Sequence, residues 1–119
     1  MDIEGRIVAG EGMNVVEGTL VLKDGCIAEV REETVESDDV VVPALVNAHT
    51  HIGDSVAKET GRGLPLDEVV APPDSHKHSI LRSTSSEDKR AAMRRTVERM
   101  RSEGVGAFGD FREGGVEGI

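Results

Sequence analysis

The chain has 119 residues, a formal net charge of −9 and only 2% aromatic residues, namely Phe108 and Phe111. That length suits one domain with a modest aliphatic core. The acidic balance argues against binding a polyanion, and the lack of Trp and Tyr argues against a base-stacking surface for nucleic acid. Lysine occurs only at Lys23, Lys58, Lys77 and Lys89. An acid-rich, lysine-poor composition resembles that of proteins from high-salt cytoplasms, and it equally fits an ordinary acidic bacterial or archaeal enzyme. Cys26 is the single cysteine, so no disulfide forms within the chain, which fits a reducing cytoplasm. The acidic start, Met1-Asp2-Ile3-Glu4, lacks the pattern of a signal peptide, and no segment has the roughly 18–20 apolar residues that a membrane span needs. A cytoplasmic protein with no membrane partner is expected.

Residues 3–9 read as a short strand, followed by a turn region marked by Gly10, Gly12 and Asn14. Gly18 to Leu22 reads as a second strand. Lys23-Asp24-Gly25-Cys26 is a hairpin signal, because Asp-Gly supplies the two positive φ angles of a type I′ turn. Ile27 to Val30 is the return strand. Glu32 to Asp39 is acidic and predicted to be a solvated loop. Val40 to Ala48 is the next strand, interrupted at Pro43, which has no N–H to donate to a ladder.

That strand runs into His49-Thr50-His51. Alternate side chains of a strand share a face, so the two imidazoles point the same way and Thr50 points away. Two neutral imidazoles on one face offer two nitrogen lone pairs to a divalent metal.

From Gly53 to Ser86 the pattern dissolves, with Gly61, Gly63, Pro65, Pro72 and Pro73 breaking any long element and one short helical turn expected in Leu64–Val70. A loop this long inside a compact domain is often functional. Glu87 to Glu103 is the clearest helix. Thr84 with Glu87, or Ser85 with Asp88 in the neighbouring register, offers a capping box. Ala92, Thr96, Val97 and Met100 supply an apolar stripe, and Gly104 is a natural stop. Val105 to Phe111 reads as a buried strand of small residues. Strand, loop, helix and strand in that order imply a parallel sheet or barrel.

The stretch Pro43-Ala44-Leu45-Val46-Asn47-Ala48-His49-Thr50-His51 resembles the first-barrel-strand motif of the amidohydrolase superfamily. It is nearest the branch of aminohydrolases, deaminases and chlorohydrolases, with Ala44 where Gly is usual. Gly104-Val105-Gly106-Ala107-Phe108-Gly109-Asp110 is similar to that family's second barrel strand, with Val105 and Gly106 in place of a common Gly-Thr-Thr. The resemblance implies an α/β fold with a β-sandwich start. Residues 1–43 would be strands of a small composite β-sandwich. Residues 44–119 would be the first β-α-β of an incomplete (β/α)8 TIM barrel.

The same resemblance makes His49 and His51 the first two metal ligands, at the C-terminal end of a barrel strand, where barrel active sites lie. The cofactor it implies is a divalent metal ion, zinc foremost, with iron also suited to imidazole. The reaction it implies is hydrolysis of a non-peptide carbon–nitrogen bond in a small nitrogen-containing substrate by a metal-activated water, of the amidohydrolase or deaminase type. A binuclear cyclic-amide hydrolase of the dihydroorotase type is the alternative enzyme, and a non-catalytic metal-binding module is the alternative outside enzymes.

Four other residues are substrate-binding candidates, each with a plainer role beside it. Asp54 shapes the mouth of the site or caps a loop. Lys77 and His78 reach substrate if the loop closes over the barrel, or else stay exposed. Arg112, near Asp110 and Glu113 at the rim, holds a carboxylate or phosphate through its planar fork, or is surface charge. Cys26 reads as a small structural residue. A full barrel takes about 200–250 residues or more, with further ligands from later strands. The chain is therefore expected to be the N-terminal piece of a larger enzyme. By itself it would bind metal weakly and turn nothing over, with homo-oligomerisation of the full-length protein left open.

Overall fold

The computed structural model describes residues 1–112. The chain divides into two compact units, the first Met1–Pro43 and the second beginning at Ala44.

The first unit is a four-stranded sheet built from β1 (Asp2–Ala9), β2 (Asn14–Lys23), β3 (Cys26–Glu32) and β4 (Val40–Val41), in the order β3-β2-β1-β4. β1 and β2 pair antiparallel with Ile3 opposite Leu20, Gly5 opposite Gly18 and Ile7 opposite Val16. Directly opposed residues share a face, so these six make one apolar surface, which Val30 of β3 extends opposite Leu20. Ile7 and Leu20 are buried there. On the other face, Thr19 is buried and its hydroxyl donates to Glu33 Oε1 at 2.7 Å.

The Asp24-Gly25 turn has φ of 51° and 77°, the type I′ geometry expected of that dipeptide. The first turn is tighter than expected. Met13 takes φ 51° and its amide bonds to Gly10 O, so β2 starts at Asn14 rather than Gly18. β3 runs on to Glu32, and the acidic stretch beyond it is irregular. Residues 1–43 form one layer, and among the described residues the unit contains no second sheet to complete a sandwich.

Pro43 separates two strands that belong to different sheets. β4 pairs parallel with β1 through Arg6–Val40 and Ile7–Val41. β5 (Leu45–Thr50) opens the second unit and pairs parallel with β6 (Val105–Asp110). Parallel neighbours need a crossover connection, and the chain between them is helical. It contains a 3-10 helix at Ile52–Ala57, then α1 (Leu66–Val70), α2 (His76–Ser83) and α3 (Ser86–Ser102).

The long loop expected from the sequence is thus largely helical. α1 covers the short helical turn anticipated near Leu64–Val70, whereas α2 and the 3-10 helix have no clear sequence signal. α2 carries little apolar periodicity, HKHSILRS. It is instead held by tertiary bonds, including Arg82 Nη1 donating to Pro73 O at 2.9 Å and Lys77 pairing with Asp54.

α3 starts from the Ser85 register of the two capping options. Ser85 Oγ accepts from the Asp88 amide at 3.1 Å and donates to Asp88 Oδ2 at 2.6 Å. The Thr84 hydroxyl is committed instead to Ile80 O at 2.7 Å. Gly104 ends the helix at φ +84° with its amide on Arg101 O. Ala92 is buried in the stripe, Thr96 and Met100 are half-buried, and Val97 is exposed. α3 packs on the 3-10 helix and β6, and α2 on the 3-10 helix. β6 is not the buried strand expected: Gly106, Ala107 and Phe108 are exposed, because among the described residues β5 is its one sheet neighbour. No helix among the described residues is long and apolar enough to cross a membrane.

Candidate metal centre

His49 lies near the C-terminal end of β5, and His51 is the first residue beyond the strand. The shared strand face brings their rings together. His49 Nε2 and His51 Nε2 are 3.1 Å apart, and both side chains are open to solvent. Two nitrogens each about 2.0–2.1 Å from one zinc ion would be about 2.9 Å apart at a right angle and about 3.4 Å apart at the tetrahedral angle. The observed separation lies between these limits, so the pair fits two adjacent positions on one divalent cation. Among the described residues, no group of three or more His, Cys, Asp or Glu is arranged to hold an ion. The pair by itself would be only part of a ligand set.

Three features aim the pair. Asn47 Oδ1 accepts from the His49 amide at 3.3 Å. Phe111, just after β6, lays its ring 4.5 Å from the His49 ring and 6.0 Å from the His51 ring, centroid to centroid. The Phe111 amide donates to Thr50 O at 2.8 Å, which carries the parallel ladder to the histidine pair. Neither Asn47 nor Phe111 stands out in sequence as a site residue. Their only signal is position, two residues before the first histidine and at the end of the neighbouring strand.

Asp110 is the most densely bonded side chain near the site. Its Oδ1 accepts from the Ile52 amide at 2.8 Å and from the Thr50 hydroxyl at 3.1 Å. Its Oδ2 accepts from Arg112 Nη2 at 2.7 Å and Nε at 2.9 Å. Burial alone pushes this carboxyl up, but the Ile52 amide, Arg112 and the Thr50 hydroxyl favour the charged form and together hold it below the usual aspartate value. Arg112 also reaches Met93 Sδ on α3 through Nη1, at 2.9 Å. Its fork, read from sequence as an anion holder, therefore embraces a carboxylate of this same chain. Glu113, named with it at the rim, lies outside the described residues.

The remaining candidates gather on the other flank. Asp54 sits in the 3-10 helix, and its Oδ2 pairs with Lys77 Nζ of α2 at 3.2 Å, with both side chains largely covered. His78 Nδ1 is 2.7 Å from Ser75 Oγ. His51 and Asp54 border a cleft of about 300 Å³ whose other walls include Asn47, Lys58, Thr96 and Met100. Lys77, His78 and Arg112 do not line it. The fold thus joins His49 to His51, Asp54 to Lys77, and Arg112 to Asp110.

The two histidines and the strand pair that carries them lie within the stretch that matches a known family. Residues 40–119 match the model of the amidohydrolase family, and the chain belongs to that family. It is similar to a protein named "Putative aminohydrolase" from Methanothermobacter thermautotrophicus, with 42% identity over 97% of this chain and 32% of that protein. A second protein of the same name, from Archaeoglobus fulgidus, is 38% identical over 97% of this chain and 33% of its own length. A 5-methylthioadenosine/S-adenosylhomocysteine deaminase from Pyrococcus furiosus is 29% identical over 54% of this chain and 17% of its own. The chain spans about a third of the length of the first two relatives. No solved structure matches it significantly.

Proposed function

We propose that this chain supplies the first metal-binding strand of a metal-dependent hydrolase that cleaves a non-peptide carbon–nitrogen bond of a small nitrogen-containing molecule, in the manner of a deaminase. The observation that carries this reading is the 3.1 Å approach of His49 Nε2 to His51 Nε2 at the C-terminal end of a strand paired in parallel. The α/β unit that holds them is read as the opening of a (β/α)8 barrel. The aminohydrolase and deaminase names of its relatives support the reaction class.

His49 and His51 would hold a divalent cation, zinc or iron, through neutral imidazoles. Such an ion lowers the pKa of a water towards neutrality and so provides a nucleophile for an electrophilic carbon. The chain's own groups orient the site. Phe111 lies against the imidazole pair and limits how the His49 ring can turn. Asn47 fixes the backbone at His49. Asp54, which borders the cleft, would meet substrate, with Lys77 behind it as its ion-pair partner. The rest of the ligand set and the group that moves protons would come from other barrel strands.

The test is zinc or cobalt binding by the full-length gene product, followed by metal analysis after dialysis. Wild type is expected to retain metal. His49→Ala and His51→Ala are each expected to weaken retention by more than about a hundredfold, beyond the loss typical of an outer-sphere partner. Equal retention by wild type and both variants overturns the reading.

A further inference from the structure

His51 stands where the chain leaves the strand. Its φ of −129° is that of a strand and keeps the ring on the face of His49, but its ψ of 64° turns the chain out of the ladder, so strand pairing does not hold the backbone beyond the ring. The residues on either side are fixed by one carboxylate. Asp110 Oδ1 accepts hydrogen bonds from the hydroxyl of Thr50, immediately before His51, and from the amide of Ile52, immediately after it. Thr50 Oγ1 also lies 3.0 Å from Gly109 O, so its single proton is shared along the end of β6. Behind this, Arg112 locks the carboxylate through Oδ2 and is itself braced on Met93 of α3. The Asp54 amide closes the turn by donating to His51 O at 3.0 Å.

We infer that Asp110 is a positioning residue for the histidine pair, a clamp from the second strand that straddles His51 and sets the angle at which its Nε2 meets that of His49. The inference rests on the metal-binding reading above and adds to it a residue that never touches the ion. A carboxylate suits this task because one oxygen accepts both the hydroxyl and the amide while the other stays tied to Arg112. An amide in its place can keep one oxygen for the Thr50 and Ile52 donors but turns an NH2 towards Arg112, so the brace that holds the clamp is lost. Half-burial makes the clamp stiff, since the Asp110 and Arg112 side chains are 15% and 20% exposed.

The experiment uses the full-length gene product, stripped of metal and titrated with cobalt(II), whose visible absorption reports ligand geometry. Thr50→Val removes the hydroxyl and leaves the Ile52 bond. Thr50→Ser keeps the hydroxyl. Asp110→Asn removes the charge. Ser85→Ala, at the remote start of α3, supplies a loss of stability that does not involve the clamp.

Thr50→Val and Asp110→Asn are each expected to weaken cobalt binding about tenfold, the lower end of what outer-sphere changes cause, and to change the absorption band. Thr50→Ser and Ser85→Ala are expected to match wild type in both. If Asp110→Asn does not fold, the Thr50 pair decides. Wild-type affinity and spectrum in Thr50→Val overturn the clamp, as does an equal loss in Ser85→Ala. Cobalt binding that is indifferent to His49→Ala overturns the metal reading itself, whereas binding that needs His49 but ignores Thr50 and Asp110 overturns only the assignment of Asp110.

Discussion

Replacing Asp110 by Ala should destabilise the second unit. The side chain accepts from four donors: the Ile52 amide, the Thr50 hydroxyl, and Nε and Nη2 of Arg112. Thr50 keeps Gly109 O as an acceptor, so its loss is small. Ile52 is only 8% exposed, and an amide left unsatisfied there costs about 1–3 kcal/mol.

Parting the ion pair adds to this. A fully buried pair broken on one side costs about 3–5 kcal/mol and an exposed one about 0–1 kcal/mol. A pair that keeps some solvent contact sits nearer the lower figure. Together the expected loss is about 3 kcal/mol for Asp110→Ala and about 1–2 kcal/mol for Asp110→Asn, which preserves one acceptor.

Urea denaturation of the full-length gene product, followed by circular dichroism, reads this as a lower midpoint at unchanged slope. The pH dependence supplies a second check. The folded-state pKa of Asp110 is depressed, so its contribution is fully present above the unfolded aspartate value of about 4 and is lost as pH falls through the folded value. The stability gap between wild type and Asp110→Asn should therefore be constant from neutral pH down to about 5 and shrink below about 4. A midpoint shift worth less than about 1 kcal/mol for Asp110→Ala, or a gap that does not narrow in acid, refutes this account of the carboxylate.

Two further outcomes follow from the flanking elements. Asp54→Asn removes the carboxylate charge that faces Lys77 across α2 and the 3-10 helix at 3.2 Å. Amide hydrogen exchange in residues 76–83 should rise several-fold while exchange in β1 and β2 stays unchanged; no change in α2 would show that the pair does not hold that helix. Ser85→Ala removes the acceptor for the Asp88 amide and should cost about 1 kcal/mol in thermal or urea unfolding, whereas Thr84→Ala should not affect the cap.

The parts of the chain with short-range causes are legible in the sequence. Asp24-Gly25 dictates its turn because both residues must take positive φ, whatever lies around them. α3 is legible because its apolar stripe, its N-cap and Gly104 agree, although the choice between Thr84 and Ser85 as cap is not. Either residue has the chemistry of a cap, but α2 ends just before Thr84 and the Ile80 carbonyl takes its hydroxyl.

α2 itself is hidden. It is held by Lys77 and Arg82 finding partners at Asp54 and Pro73, and neither pairing leaves a periodic trace in the sequence. The same limit applies to the candidate site. Alternation along one strand is enough to place His49 and His51 on one face. It offers no means of finding Phe111 against their rings or Asp110 around His51, nearly sixty residues later in the chain.

The two histidines, the strand that presents them, the Asp-Gly turn and the main helix are all written locally. Each follows from φ preference, side-chain alternation or helical spacing within a few residues. How the histidines are aimed is a matter of tertiary structure. That aim comes from the parallel pairing of β5 with β6, which brings the Asp110 carboxylate to the Thr50 hydroxyl and the Ile52 amide. Contacts between distant residues carry no local signature, and only the folded chain brings them within hydrogen-bond reach.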